Sequence, residues 1–481
     1  MLLTILSGIL LALAYPVFNL EFLAFVGFVP LFVAVKNKNL IQSFLLSFIT
    51  GIIFFLIVGY WLIHVTLVGL ILLVPYLALY FGLFGLVFKL ICGADKDSRW
   101  AIIIVPSAWI LLEWLRMHLF PGFGWALLGY SQYLNLPLIQ IADITGVWGV
   151  SFLLMMVNVA VYNVIARRAT PKQSRRLRGH KVSEAISIKG LLRFARNDNI
   201  TVLLPFLLVF LSLGYGFYKL HNSKLQAPNS KLRISVIQGN IPQNQKWDRK
   251  FADFILDRYV TLTNQAAEDK PDLVILPETS MPGLIDEDPQ LLAAVLGLAK
   301  KIRAPILIGA VTLDGDRAFN SAVLISAEGR IIGQYDKLRL VPFGEYVPLD
   351  KVFPLLRRLI GIPIGDFTPG ARYTVFKEPR NFSALICFED TFPGLSRRFV
   401  KEGAKFLVNI TNDAWFKYSS APYQHVQASV FRAVENRVPV VRAANTGLSC
   451  FIDRCGRIYD TVAVDNKDIF VTGYKTSEVK L

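Results

Sequence analysis

Three apolar runs end in residues that can do chemistry. LVILPETS (273–280) delivers Glu278 just past a proline. GQYDKLRLVPFGEYVP (333–348) delivers Lys337, with Glu345 eight residues on. FSALICFED (382–390) delivers Cys387, followed by Phe388 and Glu389. A carboxylate, an ammonium and a thiol are the parts for acyl transfer through a thioester. The carboxylate removes the thiol proton, and the lysine stabilises oxyanion charge and helps depress the thiol pKa. Backbone N–H groups after the cysteine complete an oxyanion hole. Singly, each residue has a plainer reading. A cysteine at a strand end more often fills core, a glutamate there solvates a loop or caps a helix, and a lysine in a turn faces water.

The elements that must position these residues alternate. Strands are expected at 233–238, 273–276, 305–310, 321–326, 382–387, 405–410 and 438–443, and helices at about 249–268, 288–302, 393–402 and 422–437. This pattern predicts a layered α/β domain over 231–475, in which strand ends converge on a common edge. A linker is expected at 219–230 and a tail at 476–481. No internal repeat, Walker motif or dinucleotide fingerprint appears.

Residues 1–218 have a different solvent. The chain is 54% hydrophobic over 481 residues, and the apolar excess lies in this half. Spans are expected at about 2–16, 22–36, 42–63, 67–92, 100–118, 145–166 and 200–218, the first two short. Basic residues fall after spans two (Lys36, Lys38), four (Lys96, Arg99) and six, where ten Lys or Arg crowd into 167–196. These loops, including 167–199, are therefore expected in the cytoplasm, and everything after about 219 on the far side. The same loop explains much of the net charge of +16, and no nucleic-acid motif accompanies it. Glu113 and Arg116, near the end of span five, have two readings: a functional pair within the membrane, or a snorkelling interfacial pair. The aromatic stretch 120–132 either lines a lipid entrance or forms an aromatic belt. Four cysteines are too few for a disulfide scaffold, although Cys450 and Cys455 flank a turn and either pair or stay as strand residues. Five histidines form no HxH or HxxxH pair, so no metal is expected.

Taken together, QGNIPQNQKWD (238–248), LPETSMP (276–282), YDKLRLVPFGEYVPL (335–349), ICFED (386–390), NITNDAWF (409–416) and FRAVENRVPVVRAANTG (431–447) resemble the nitrilase superfamily. Within it they resemble its membrane-bound branch, the bacterial apolipoprotein N-acyltransferase family. The resemblance implies an α-helical polytopic membrane domain plus an α-β-β-α sandwich. It implies Glu278 as general base, Lys337 as oxyanion-stabilising lysine and Cys387 as nucleophile. Glu345 is expected to orient Lys337, and Glu389 and Phe388 to support the site. Trp247 and Trp415 are substrate-contacting aromatics or, equally, local loop packing. Two departures stand out. Phe388 replaces the family's usual tyrosine, which removes a hydroxyl but keeps a ring. DIFVTGYKTSEVKL, at the end of the sequence, carries no apolar run where the family has a further membrane helix.

The implied activity transfers a fatty acyl chain from a membrane phospholipid, through a thioester, to the N-terminal amine of an S-diacylglyceryl-cysteine apolipoprotein. A monomer without cofactor is expected, in the bacterial inner membrane, with its catalytic domain periplasmic. The triad alone also accommodates a membrane-anchored amidohydrolase that uses water as acceptor. A transporter or scaffold is disfavoured, because spans carry few charges and the triad is intact.

Overall fold

The computed structural model describes residues 1–92, 100–119, 122–168, 200–225, 230–346 and 366–481. Lys96, Arg99, positions 120 and 121, most of the basic loop 167–199, residues 226–229 of the expected linker and 347–349 of the Lys337 motif lie outside the described residues. The chain divides into two compact units. One comprises Met1–Tyr60 with Gly69–His221, the other Trp61–Val68 with Asn222–Leu481.

The first unit is helical: α1 (Leu2–Leu13), α2 (Val29–Val35), α3 (Leu40–Val58), α4 (Leu67–Ile91), α5 (Ala101–His118), α6 (Ala142–Arg168) and α7 (Ile200–Leu225). Among the described residues, α3 to α7 are long and apolar enough to cross a membrane, and the first two helical segments are shorter. An aromatic core joins α2, α4 and α5. Phe32 stacks on Phe88 at 4.1 Å, and Phe28, Phe81 and Phe84 meet Trp109 edge-on at 4.7–5.0 Å. Where the chain breaks before α2, Asn158 of α6 accepts from the Phe28 N–H at 2.9 Å and donates to the Ala24 carbonyl at 2.8 Å. Unmet, those groups would cost several kcal/mol each in an apolar solvent.

Glu113 and Arg116 do not snorkel: they are only 3% and 4% exposed. Glu113 accepts from the Leu128 N–H at 2.6 Å, and Arg116 donates to the Trp125 carbonyl at 2.9 Å. Tyr15 adds a bond to the Leu127 carbonyl at 2.9 Å. The two charged residues thus fasten the irregular backbone of 125–128.

The second unit is built on two sheets. The strands are β1 (Lys231–Gln238), β2 (Leu273–Ile275), β3 (Ile306–Asp314), β4 (Arg317–Ile325), β5 (Ile331–Asp336), β6 (Phe382–Ile386), β7 (Phe406–Thr411), β8 (Val440–Ala444), β9 (Cys450–Ile452), β10 (Ile458–Thr461) and β11 (Gly473–Lys480). Their orders are β11-β1-β2-β3-β4-β5 and β10-β9-β8-β7-β6, with β1-β2-β3 and β6-β7-β8 parallel. Helices α8 (Ala252–Ala267) and α9 (Pro289–Ile302) pack on the first sheet through Ile255, Tyr259, Leu262, Leu291, Val295 and Leu298. Helices α10 (Pro393–Lys401) and α11 (Ala421–Asn436) cover the second, and β1 and β4 face β8 and β6. The result is the expected α-β-β-α sandwich. Trp61 belongs to this unit. Its ring meets Phe416 at 4.7 Å and its indole N–H donates to Gln424 at 3.1 Å.

The ends of this domain differ from expectation. Residues 476–480 are no tail: they lie in β11, which pairs with β1 from Lys231↔Lys480 to Gln238↔Gly473. GYKTSEVK is a half-exposed edge strand, so it lacks the apolar run that marks a core strand. The expected linker is helical as far as Leu225. No disulfide joins Cys450 to Cys455, so the pairing reading falls.

Candidate active site

Glu278 lies three residues beyond β2, and Lys337 and Cys387 are the first residues past β5 and β6. Parallel strands end at one edge, and this brings the first two together. Lys337 Nζ is 3.3 Å from Glu278 Oε1 and 2.9 Å from Glu345 Oε1. Asn320 of β4, which the sequence did not single out, donates to both carboxylates at 2.7 Å. The Val341 N–H holds Glu345 at 2.7 Å, and the Asn412 N–H holds Glu278 at 2.9 Å. All three charged residues are at least nine-tenths buried. Burial alone would lower the Lys337 pKa, but the Glu345 and Glu278 carboxylates outweigh it and hold it above its ordinary value.

The Glu278 loop lies flat on β3 because position 309 is glycine. A Cβ there would collide with the Pro277 carbonyl oxygen and sit 2.6 Å from the Glu278 α-carbon. The Ser280 N–H donates to the Gly309 carbonyl at 2.8 Å and seals the contact.

Cys387 turns from β6 into a short 3₁₀ helix with φ +56°. A left-handed non-glycine residue costs about 1–3 kcal/mol and persists only where neighbours hold it. Glu389 is one such neighbour. It accepts from the N–H groups of Ile386, Leu338 and Arg339 at 2.8, 2.8 and 2.9 Å, and from the Tyr335 hydroxyl at 2.9 Å. It therefore bolts the cysteine turn to the chain leaving Lys337. Burial pushes its pKa up to about 7 against those hydrogen bonds. The Phe388 ring centroid lies 5.5 Å from Lys337 Nζ.

Burial first, then the Glu278 charge, raise the Cys387 thiol well above its ordinary pKa, and Lys337 and a Thr411 hydrogen bond only partly offset them. Lys337 lowers the thiol pKa as expected, but burial and the Glu278 charge outweigh it. The resting sulfur keeps its proton, so the proton must leave as the sulfur attacks.

Two features were invisible in the sequence. Lys246, in the QNQKWD motif, turns inward and donates from Nζ to the Glu278 carbonyl at 2.8 Å. Burial lowers its pKa to about 7, although the Glu278 charge opposes this. Behind the cysteine, Arg442 bridges Asp390 and Asp413 at 3.2 Å each, and the His425 ring lies 2.9 Å from Asp413 and 3.3 Å from Asp390. Burial and Arg442 pull the His425 pKa down, but the two aspartates hold it above its ordinary value. Trp247 and Trp415 are 50% and 39% exposed, on the loops that carry Lys246 and Asp413 inward. Among the described residues, no cluster of His, Cys, Asp or Glu could hold a metal ion.

Residues 7–160 match the family described as the apolipoprotein N-acyltransferase N-terminal domain, and residues 233–473 match the carbon-nitrogen hydrolase family. A Geobacter metallireducens protein named apolipoprotein N-acyltransferase is 41% identical over 95% of this chain and 86% of its own. A Chlorobaculum tepidum protein of the same name is 31% identical over 95% and 87%. Among solved structures, a mutant nitrilase-superfamily amidase of Nesterenkonia AN1 is 18% identical, with a TM-score of 0.40, over 53% of this chain and 93% of that chain. Identity of this depth runs through both units, and the chain belongs to the apolipoprotein N-acyltransferase family.

Proposed function

We propose that this chain N-acylates lipoproteins in two half-reactions through a thioester on Cys387. First, the sulfur attacks an ester carbonyl of a membrane phospholipid while Glu278 takes its proton. Lys337 and the N–H of Phe388 stabilise the oxyanion. The intermediate collapses, the ester C–O bond breaks, and the lysophospholipid alkoxide leaves with the proton from Glu278. Second, the α-amine of an S-diacylglyceryl cysteine loses a proton to Glu278 as it attacks the thioester. The C–S bond breaks, the thiolate recovers that proton, and an amide remains.

The observation that carries this reading is the pairing of a buried carboxylate–lysine cluster with a thiol on a strained turn. Glu345 keeps Lys337 charged and aimed, and the carboxylate of Glu278 is left as base for a thiol that is neutral at rest. Trp247 and Trp415 are suited to contact the acyl substrates from their exposed loops. The charge pattern of the loops supports a bacterial inner-membrane protein with a periplasmic catalytic domain. A site at the membrane surface spares both lipid substrates the cost of lifting chains into water, about 0.8 kcal/mol per CH₂.

Intact mass spectrometry after incubation with phospholipid alone tests the first half. An acyl-sized adduct is expected on the native chain and absent from Cys387→Ala. An adduct that survives in that variant refutes the assignment.

A further inference from the structure

Asn409 lies in the middle of β7, in register with Leu385 on one side and Arg442 on the other, and is fully buried. Its Nδ2 donates to the Cys387 carbonyl at 2.9 Å and to the Leu385 carbonyl at 3.3 Å. Its Oδ1 accepts from Arg442 Nη1 at 2.7 Å. Arg442 is pinned in turn by Asp390 and Asp413. The amide cannot turn over. A flip would set its oxygen against two carbonyls and its NH₂ against a guanidinium, which only donates.

The Cys387 carbonyl and the Phe388 N–H belong to one peptide unit, which is planar. Fixing that carbonyl fixes the direction of that N–H. We propose that Asn409 is a positioning residue that aims the Phe388 N–H as the oxyanion donor, with Arg442 and its two aspartates holding Asn409 in the productive orientation. This rests on the acyl-enzyme reading above and adds to it the origin of the preorganised donor. The left-handed turn at Cys387 makes such a device necessary. Without a fixed donor to the Cys387 carbonyl, the 387–388 peptide can relax, and the Phe388 N–H is lost to the oxyanion at the moment charge develops.

The test compares two reactions of the same sulfur in the full-length protein in mixed detergent–phosphatidylethanolamine micelles. Acylation by phospholipid forms an oxyanion; alkylation by iodoacetamide does not. Asn409→Ala and Asn409→Asp both remove the donor to Cys387, and the second keeps an acceptor for Arg442. Either variant that folds decides. The expected result is acylation slowed about 10²-fold, the usual loss for one oxyanion donor, with alkylation within about threefold of the native rate. Acylation at the native rate overturns the proposal. So does a parallel fall in both reactions, because that marks general damage to the site. If the native protein itself forms no adduct on Cys387, the acyl-enzyme reading fails rather than this refinement of it.

Discussion

The Cys387 thiol keeps its proton because burial and the Glu278 charge prevail over Lys337. Its alkylation by iodoacetamide should therefore climb about tenfold per pH unit from pH 7 to 9, the slope of a thiolate fraction far below one. A plateau below pH 8 would contradict this. Lys246 gives a different signature. Its folded pKa, about 7, lies below its ordinary value of 10.5. Between those values the unfolded chain holds a proton that the folded one does not, so this residue makes stability rise with pH across that window. Lys246→Met should remove the rise. Relative to the native chain, the variant should gain melting temperature as pH falls from 10 to 7, which differential scanning fluorimetry reads directly. A difference that stays constant with pH would assign the lysine an ordinary pKa.

At the scale of elements, the sandwich depends on close approach as much as on apolar burial. Gly309→Ala should push the Glu278 loop off β3 and slow acylation about 10²-fold, as expected for a base displaced by about 1 Å. The melting temperature should fall far less than for a core cavity, and activity with little change would show that the loop has slack. The elements differed in how readily they could be read. β1, β6, β7 and β8 are mostly buried runs of β-branched and apolar residues, and their sequence says so. β5 and β11 lie at sheet edges and carry mostly exposed or half-exposed side chains, so IIGQYD and GYKTSEVK look like turns. Glu278, Lys337 and Cys387 stood out in the sequence because a motif surrounds each. Asn409, Lys246 and Arg442 were not. In one sequence a buried charge reads like a surface charge until its partner is known, and the partner of Arg442 is 52 residues away at Asp390.

For the whole molecule, the Lys and Arg distribution makes a topological prediction. An alkaline phosphatase reporter joined after His221 should be active, and one inserted within 169–199 inactive. The reverse pattern would place the catalytic unit in the cytoplasm and rule out an outer-leaflet substrate. A last consequence follows from β11. The Leu481 N–H donates to the Ser230 carbonyl at 3.1 Å, and the first rung of the antiparallel ladder joins Lys231 to Lys480. The points where the polypeptide enters and leaves the sandwich are thus the two handles of one zipper. Tension applied between them loads the rungs singly from Lys231–Lys480 inward, instead of shearing all of them at once. A pull between these ends should peel the sheet at low force, whereas a pull across the middle of the fold should meet the full resistance of its parallel strands.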